Sequence, residues 1–193
     1  FDCYTVSYKY WDDSTQYNGG VYEQDKLNFE IDPFVLDSLE NFSLRGLEFR
    51  GTYNSSEIMP AFRDTLKPVR DNTYGIDEKM PKEGVPLYGG KGRFYNRVTV
   101  DGRAMWGDGE IHYLNTVAVC DSFTFHFDSV FSWHLTQDFR LKGGEYKGTN
   151  YPKLDVKRVK YRWYPKDDEL VLSSKKEPME LFNGEAKFRG DID

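Results

Sequence analysis

The sequence predicts an all-β chain, and three observations carry that expectation. Apolar residues recur with a period of two through the middle and end of the chain, the signature of half-buried strands. Aromatic residues make up 17 % of the chain against 38 % for all hydrophobic residues, through 14 Tyr, 14 Phe and 4 Trp; flat rings of this kind pack across neighbouring strands. Glycine-rich turn signals arrive at short intervals. No window sustains the i, i+3, i+4, i+7 apolar stripe of a helix, so helix content is expected to be minimal. The expected architecture is a β-solenoid or an open β-jelly roll of short antiparallel strands, with a closed β-sandwich as the alternative.

Taken in order, Tyr4-Thr5-Val6-Ser7-Tyr8 reads as an opening strand, and Pro33-Phe34-Val35-Leu36-Asp37-Ser38-Leu39 is the best helical candidate, only about two turns long. Residues 60–90 break the pattern. Pro60, Pro68, Pro81 and Pro86 lie there among charges, and proline cannot donate to a central ladder. The stretch is therefore expected to be a long ordered loop or a lid. Ile111, Tyr113, Val117 and Val119 then share one parity, and Phe123, Phe125 and Phe127 another. Further on, Val159, Tyr161 and Trp163 fall on one strand face, with Arg158, Lys160 and Arg162 on the other, so one face is apolar and one cationic. Asn18-Gly19-Gly20, Asp101-Gly102, Gly107-Asp108-Gly109, Gly143-Gly144 and Asn183-Gly184 can supply the positive φ that tight turns need. Weak internal echoes join Gly46-Leu47-Glu48-Phe49-Arg50-Gly51-Thr52 to Gly143-Gly144-Glu145-Tyr146-Lys147-Gly148-Thr149, and Gly90-Lys91-Gly92-Arg93-Phe94 to Gly107-Asp108-Gly109-Glu110-Ile111. Units that repeat in this way bury their apolar faces against one another, as in solenoids. Residues 1–193 are read as one all-β segment, and a start at Phe1 as a processed or excised end of a larger protein.

Charge and composition exclude some functions. A formal charge of −6 with interspersed Lys and Arg leaves no basic stripe for a phosphate backbone, so nucleic acid is not an expected partner. No window approaches the roughly 18 to 20 apolar residues that span a bilayer, so no transmembrane span is expected. Cys3 and Cys120 stand far apart, in no CxxC pattern, and offer neither a zinc site nor a thioredoxin-like centre; they are either unrelated or joined by one long-range disulfide.

Residues that could carry chemistry are sparse. His112, His126 and His134 lie within or beside strands. His126, opposite in parity to the phenylalanine row, reads as a surface side chain. The acidic runs Asp12-Asp13 and Asp167-Asp168-Glu169 read as solvated turns; they lack EF-hand spacing and do not face one another as glycosidase carboxylates must. Gly89-Gly90-Lys91-Gly92 lacks the phosphate-loop pattern and precedes a strand. Asn41-Phe42-Ser43 and Asn54-Ser55-Ser56 fit the N-glycosylation pattern.

Several segments resemble parts of very large, repeat-containing, uncharacterised Bacteroidota cell-envelope proteins: Phe29-Glu30-Ile31-Asp32-Pro33-Phe34, Pro86-Leu87-Tyr88-Gly89-Gly90-Lys91-Gly92, Gly107-Asp108-Gly109-Glu110-Ile111-His112-Tyr113-Leu114 and Asp121-Ser122-Phe123-Thr124-Phe125-His126-Phe127-Asp128-Ser129. The cadence of turn and strand is also similar to periplasmic β-jelly-roll lipopolysaccharide-transport domains. These resemblances imply an extracytoplasmic location, periplasmic or cell-surface, in a larger parent chain. The resulting expectation is a non-catalytic structural or ligand-binding module with no cofactor and no metal. Its ligand is an acyl lipid in an aromatic groove of Tyr113, Phe123, Phe125, Phe127 and Trp133. The alternative is a carbohydrate-binding β-sandwich whose stacking platforms are Trp11, Trp106 and Trp163, since an aromatic face accepts the C–H face of a pyranose.

Overall fold

The computed structural model describes residues 7–9, 16–17, 20–21, 27–32, 48–70, 73–101, 104–151, 153–181 and 186–192. Cys3, Trp11, Asp12-Asp13, the helical candidate at 33–39 and the acceptor pattern at Asn41 lie outside these residues. Within them the chain is all-β. The first half contains β1 (Ser7–Lys9), β2 (Gln16–Tyr17), β3 (Gly20–Val21), β4 (Asn28–Ile31), β5 (Phe49–Asn54), β6 (Phe62–Arg70), β7 (Thr73–Lys79), β8 (Val85–Leu87), a 3₁₀ turn at Tyr88–Gly90, and β9 (Gly92–Val100). The second half contains β10 (Met105–Tyr113), β11 (Thr116–Phe125), β12 (Val130–Ser132), β13 (Asp138–Leu141), β14 (Gly144–Tyr146), β15 (Thr149–Tyr151), β16 (Leu154–Lys157), β17 (Lys160–Tyr164), β18 (Glu169–Leu181) and β19 (Ala186–Ile192).

Fifteen of these strands form one antiparallel sheet, and its order follows the chain. From β4 onward each strand pairs with the next long one, through β5, β6, β7, β9, β10 and β11. β11 then takes two short partners, β12 along Phe123–Phe125 and β13 along Thr116–Val119. β12 pairs in turn with β17, and β13 with β16. β12 and β13 thus act as one strand interrupted midway, as do β16 and β17. The two interruptions bond to each other, Thr136 N–H to the Val159 carbonyl (2.8 Å) and Arg158 N–H to the Thr136 carbonyl (3.1 Å), so the backbone groups released there keep partners. β18 receives both β16 and β17, and β19 closes on β18.

Alternation sorts the two faces of this sheet. Ile76, Val100, Met105, Phe125, Val130, Trp163 and Leu170 are successive cross-strand partners on the inner face, and all but Leu170 are wholly buried. Displaced by one residue on every strand, Asp77, Thr99, Trp106, Thr124, Phe131, Arg162 and Val171 form the corresponding outer row.

The sheet coils over its own apolar face. Trp163 on β17 meets Tyr113 on β10 with ring centroids 4.8 Å apart, and a Cβ at Gly92 on β9 would lie 2.6 Å from the same indole. The Tyr53 hydroxyl on β5 reaches the Met105 sulfur on β10 (3.7 Å), and Phe94 packs edge-on against Phe125 at 5.2 Å. Strands four places apart in the ladder, β5 with β10 and β9 with β17, therefore face each other, and one apolar cluster runs from Leu27 to Met179. The right-handed strand twist starts such coiling, and bulges sharpen it. One bulge lies where the β10–β11 register shifts between Gly107 and Gly109. Gly109 has φ 153°, and a Cβ there would run into the Tyr95 carbonyl oxygen, so the position requires glycine.

The expected loop or lid over residues 60–90 is corrected: the stretch carries β6, β7 and β8. Proline is accommodated where the ladder does not need its N–H. Pro68 lies where β6 has left β5 and its register to β7 shifts, and Pro86 lies in β8, a three-residue strand paired to β9 alone.

Candidate functional site

Four of the five residues expected to line a lipid groove are core. Phe123 and Phe125 are wholly buried, Tyr113 is 6 % exposed and Phe127 8 % exposed. Coiling brings Tyr161 against Phe123 (5.6 Å) and Trp163 against Tyr113, filling the space that an acyl chain would have taken. Trp163, an expected sugar platform, is wholly buried for the same reason. Trp133 and Trp106 lie on the outer face instead, and the structure brings these two together.

Their rings meet edge to face, with centroids 5.7 Å apart and planes at 86°. Trp106 is placed by the β10 ladder between Thr99 and Thr124, and its indole N–H points to the Asp101 carboxylate (3.4 Å). Asp101 is itself held in the turn before β10 by the Ala104 N–H (3.2 Å). Trp133 follows β12, where its N–H donates to the Ser122 carbonyl (2.7 Å) and its own carbonyl accepts from the Lys160 ammonium. It is 44 % exposed, unusual for a ring of this size in so aromatic a chain.

A groove of about 740 Å³ lies at this pair, with Asp77, Asp101, Asp108 and Asp121 among its walls. Asp77 pairs with Arg97 (2.9 Å) and accepts from the Thr99 hydroxyl (3.3 Å). The Ser122 hydroxyl donates to Asp121 (2.7 Å), and His134 Nδ1 lies 3.0 Å from Ser122 Oγ and 3.4 Å from Asp121. The Ser122 bond first, then His134, holds the Asp121 carboxyl below its ordinary range. This trio does not form a catalytic relay. A Ser-His-Asp relay uses opposite ring nitrogens for its two partners, whereas here one nitrogen faces both and the hydroxyl proton is given to the carboxylate. A second groove, of about 720 Å³, shares Trp133 with the first and has Phe131, Lys160, Arg162 and Tyr164 in its wall.

The remaining candidates resolve into structural roles. His126 is corrected from surface to interior at 1 % exposed: β11 ends at Phe125, and the turn closed by the His126 N–H to the Ser129 carbonyl (2.8 Å) ends the alternation. His112 pairs with Glu110 (3.0 Å). In the Asp167-Asp168-Glu169 run, Asp168 pairs with Lys91 (2.8 Å), which joins it to the Gly89–Gly92 turn. Cys120 is a buried free thiol. Among the described residues no group of three or more His, Cys, Asp or Glu is placed to hold a metal ion, and no helix is long and apolar enough to cross a membrane. Sequence reasoning missed the partnership of Trp106 with Trp133 and the carboxylates around it. The available signal was parity, since Trp106 and Phe131 are aromatic residues at polar-face positions. No family model, curated protein or solved structure matches the chain.

Proposed function

We propose that this chain is a non-catalytic glycan-binding module of a cell-envelope protein, whose ligand lies on the outer face against Trp106 and Trp133. The observation that carries the reading is the exposed Trp133, packed edge to face on the half-buried Trp106, beside a groove walled by carboxylates. An indole face accepts the C–H surface of a pyranose, and ionised carboxylates accept hydrogen bonds from its hydroxyls. The carboxylates are held in place by Ser122, Arg97 and the Asp101 turn, so little ordering is required on binding. The chain-ordered strands support a repeat-built, solenoid-like segment of a larger parent protein, displayed outside the cytoplasm, where glycans are met.

A glycan array followed by calorimetry tests the proposal. The expected result is saturable binding with a change in tryptophan fluorescence, weakened about tenfold or more by Trp133→Ala with the thermal transition unchanged. A silent array, or full affinity in Trp133→Ala, overturns it. Binding of fatty acids that scales with chain length restores the lipid reading instead.

A further inference from the structure

Building on the glycan reading, we infer that the ligand is an acidic oligosaccharide, one of whose sugars carries an anionic substituent, carboxylate or sulfate, seated at Arg162. The outer row places Trp106, Thr124, Phe131 and Arg162 on consecutive strands. At about 4.8 Å per strand the distance from Trp106 to Arg162 along the sheet is about 14 Å, a span of several sugar rings. Trp133 walls both grooves, so a chain stacked on it is within reach of the carboxylates of one and the cations of the other.

The cationic end is built for an anion. Arg162 is exposed between Phe131, its cross-strand partner, and Tyr164, whose ring meets that of Phe131 at 5.9 Å. Among the described residues its guanidinium makes no side-chain hydrogen bond and no ion pair, whereas Arg97, Arg140 and Arg158 are each matched to a carboxylate. Glu177, the carboxylate in the same groove, is taken by Arg158. Lys160 lies on the same strand face, with its ammonium on the Ser132 and Trp133 carbonyls, where it both positions Trp133 and adds positive charge. Two cations in a groove whose one described carboxylate, Glu177, is already paired, flanked by aromatic surface, form a fork for a planar or tetrahedral oxyanion. This local positive charge stands out in a chain of net charge −6.

The test uses the full chain and three oligosaccharides that share one neutral backbone: unmodified, bearing a uronate, and bearing a sulfate. At low ionic strength an anionic form is expected to bind about tenfold tighter than the neutral one, and added salt is expected to erase the difference. Arg162→Gln should remove the preference and leave neutral binding and the melting temperature unchanged, while Arg162→Lys should restore part of it. The tighter of the two anionic arms names the substituent. Equal affinity for all three, with Trp133 still required, overturns the inference and leaves the glycan reading standing. An equal loss of neutral and anionic binding in Arg162→Gln also overturns it. Silence towards all three together with a silent array removes both.

Discussion

His126 lies just past β11, 1 % exposed and 5.1 Å from the Phe131 ring. Burial pushes its pKa down to about 4, against a small opposing pull from Asp128. Because the folded-state value lies below the unfolded one, the unfolded chain binds the proton more readily. The neutral ring thus costs nothing above about pH 6.5 and destabilises progressively as pH falls towards 4, by on the order of 3 kcal/mol in the limit. Urea melts of the wild type between pH 7 and pH 4 should show this acid-side slope, and His126→Gln, which cannot protonate, should flatten it. Cys120 follows the same logic. Burial raises its thiol, so iodoacetamide should modify it far more slowly in the native chain than in denaturant, as followed by intact mass. Neither residue's environment was legible locally. Parity placed His126 on the surface because it takes the strand to continue, and a backbone turn ended it.

At the scale of elements, β10 and β11 were legible as strands because their apolar residues alternate, but Gly107-Asp108-Gly109, read as a turn, lies inside β10 and forms a bulge there. What the bulge requires of Gly109 is stricter than a turn signal implies. Replacing it by alanine combines a disfavoured positive φ with a collision on the Tyr95 carbonyl, and Gly109→Ala should cost on the order of 2 to 3 kcal/mol, read as a lower denaturant midpoint with an unchanged m-value. β6 and β8 illustrate the opposite case. Their prolines read as breakers, yet proline excludes a strand only where both edges are paired, and pairing partners are a property of the sheet.

At the scale of the molecule, one core joins strands that are remote in the ladder, and Trp163 is where the two limbs meet. It touches Tyr88 and Tyr113, and its ring closes over Gly92. Trp163→Ala should therefore destabilise the whole chain by about 3 to 5 kcal/mol and lower a single thermal transition, since the cavity opens between limbs and not within one. By contrast, Trp133→Ala on the outer face should leave that transition in place and, on the proposed glycan reading, weaken binding about tenfold or more. The pair of variants separates core tryptophan from site tryptophan by calorimetry alone.

Alternation and turn chemistry are local, and they sufficed to determine an all-β antiparallel chain with one apolar and one polar face along Val159–Trp163. Which ring serves the core and which lies on the outer face was decided only by the tertiary structure. Tyr113, Phe123 and Phe125 were read as part of an apolar groove and Trp163 as a separate sugar platform, but whether such rings line an open trough or a packed interior depends on how far the sheet coils. Coiling accumulates small twists and bulges over many strands, and it is completed by contacts between residues far apart in sequence, such as Gly92 with Trp163. Trp133 likewise walls both the groove that contains Asp77, Asp101, Asp108 and Asp121 and the groove that contains Lys160 and Arg162, a juxtaposition that no single segment of the sequence contains.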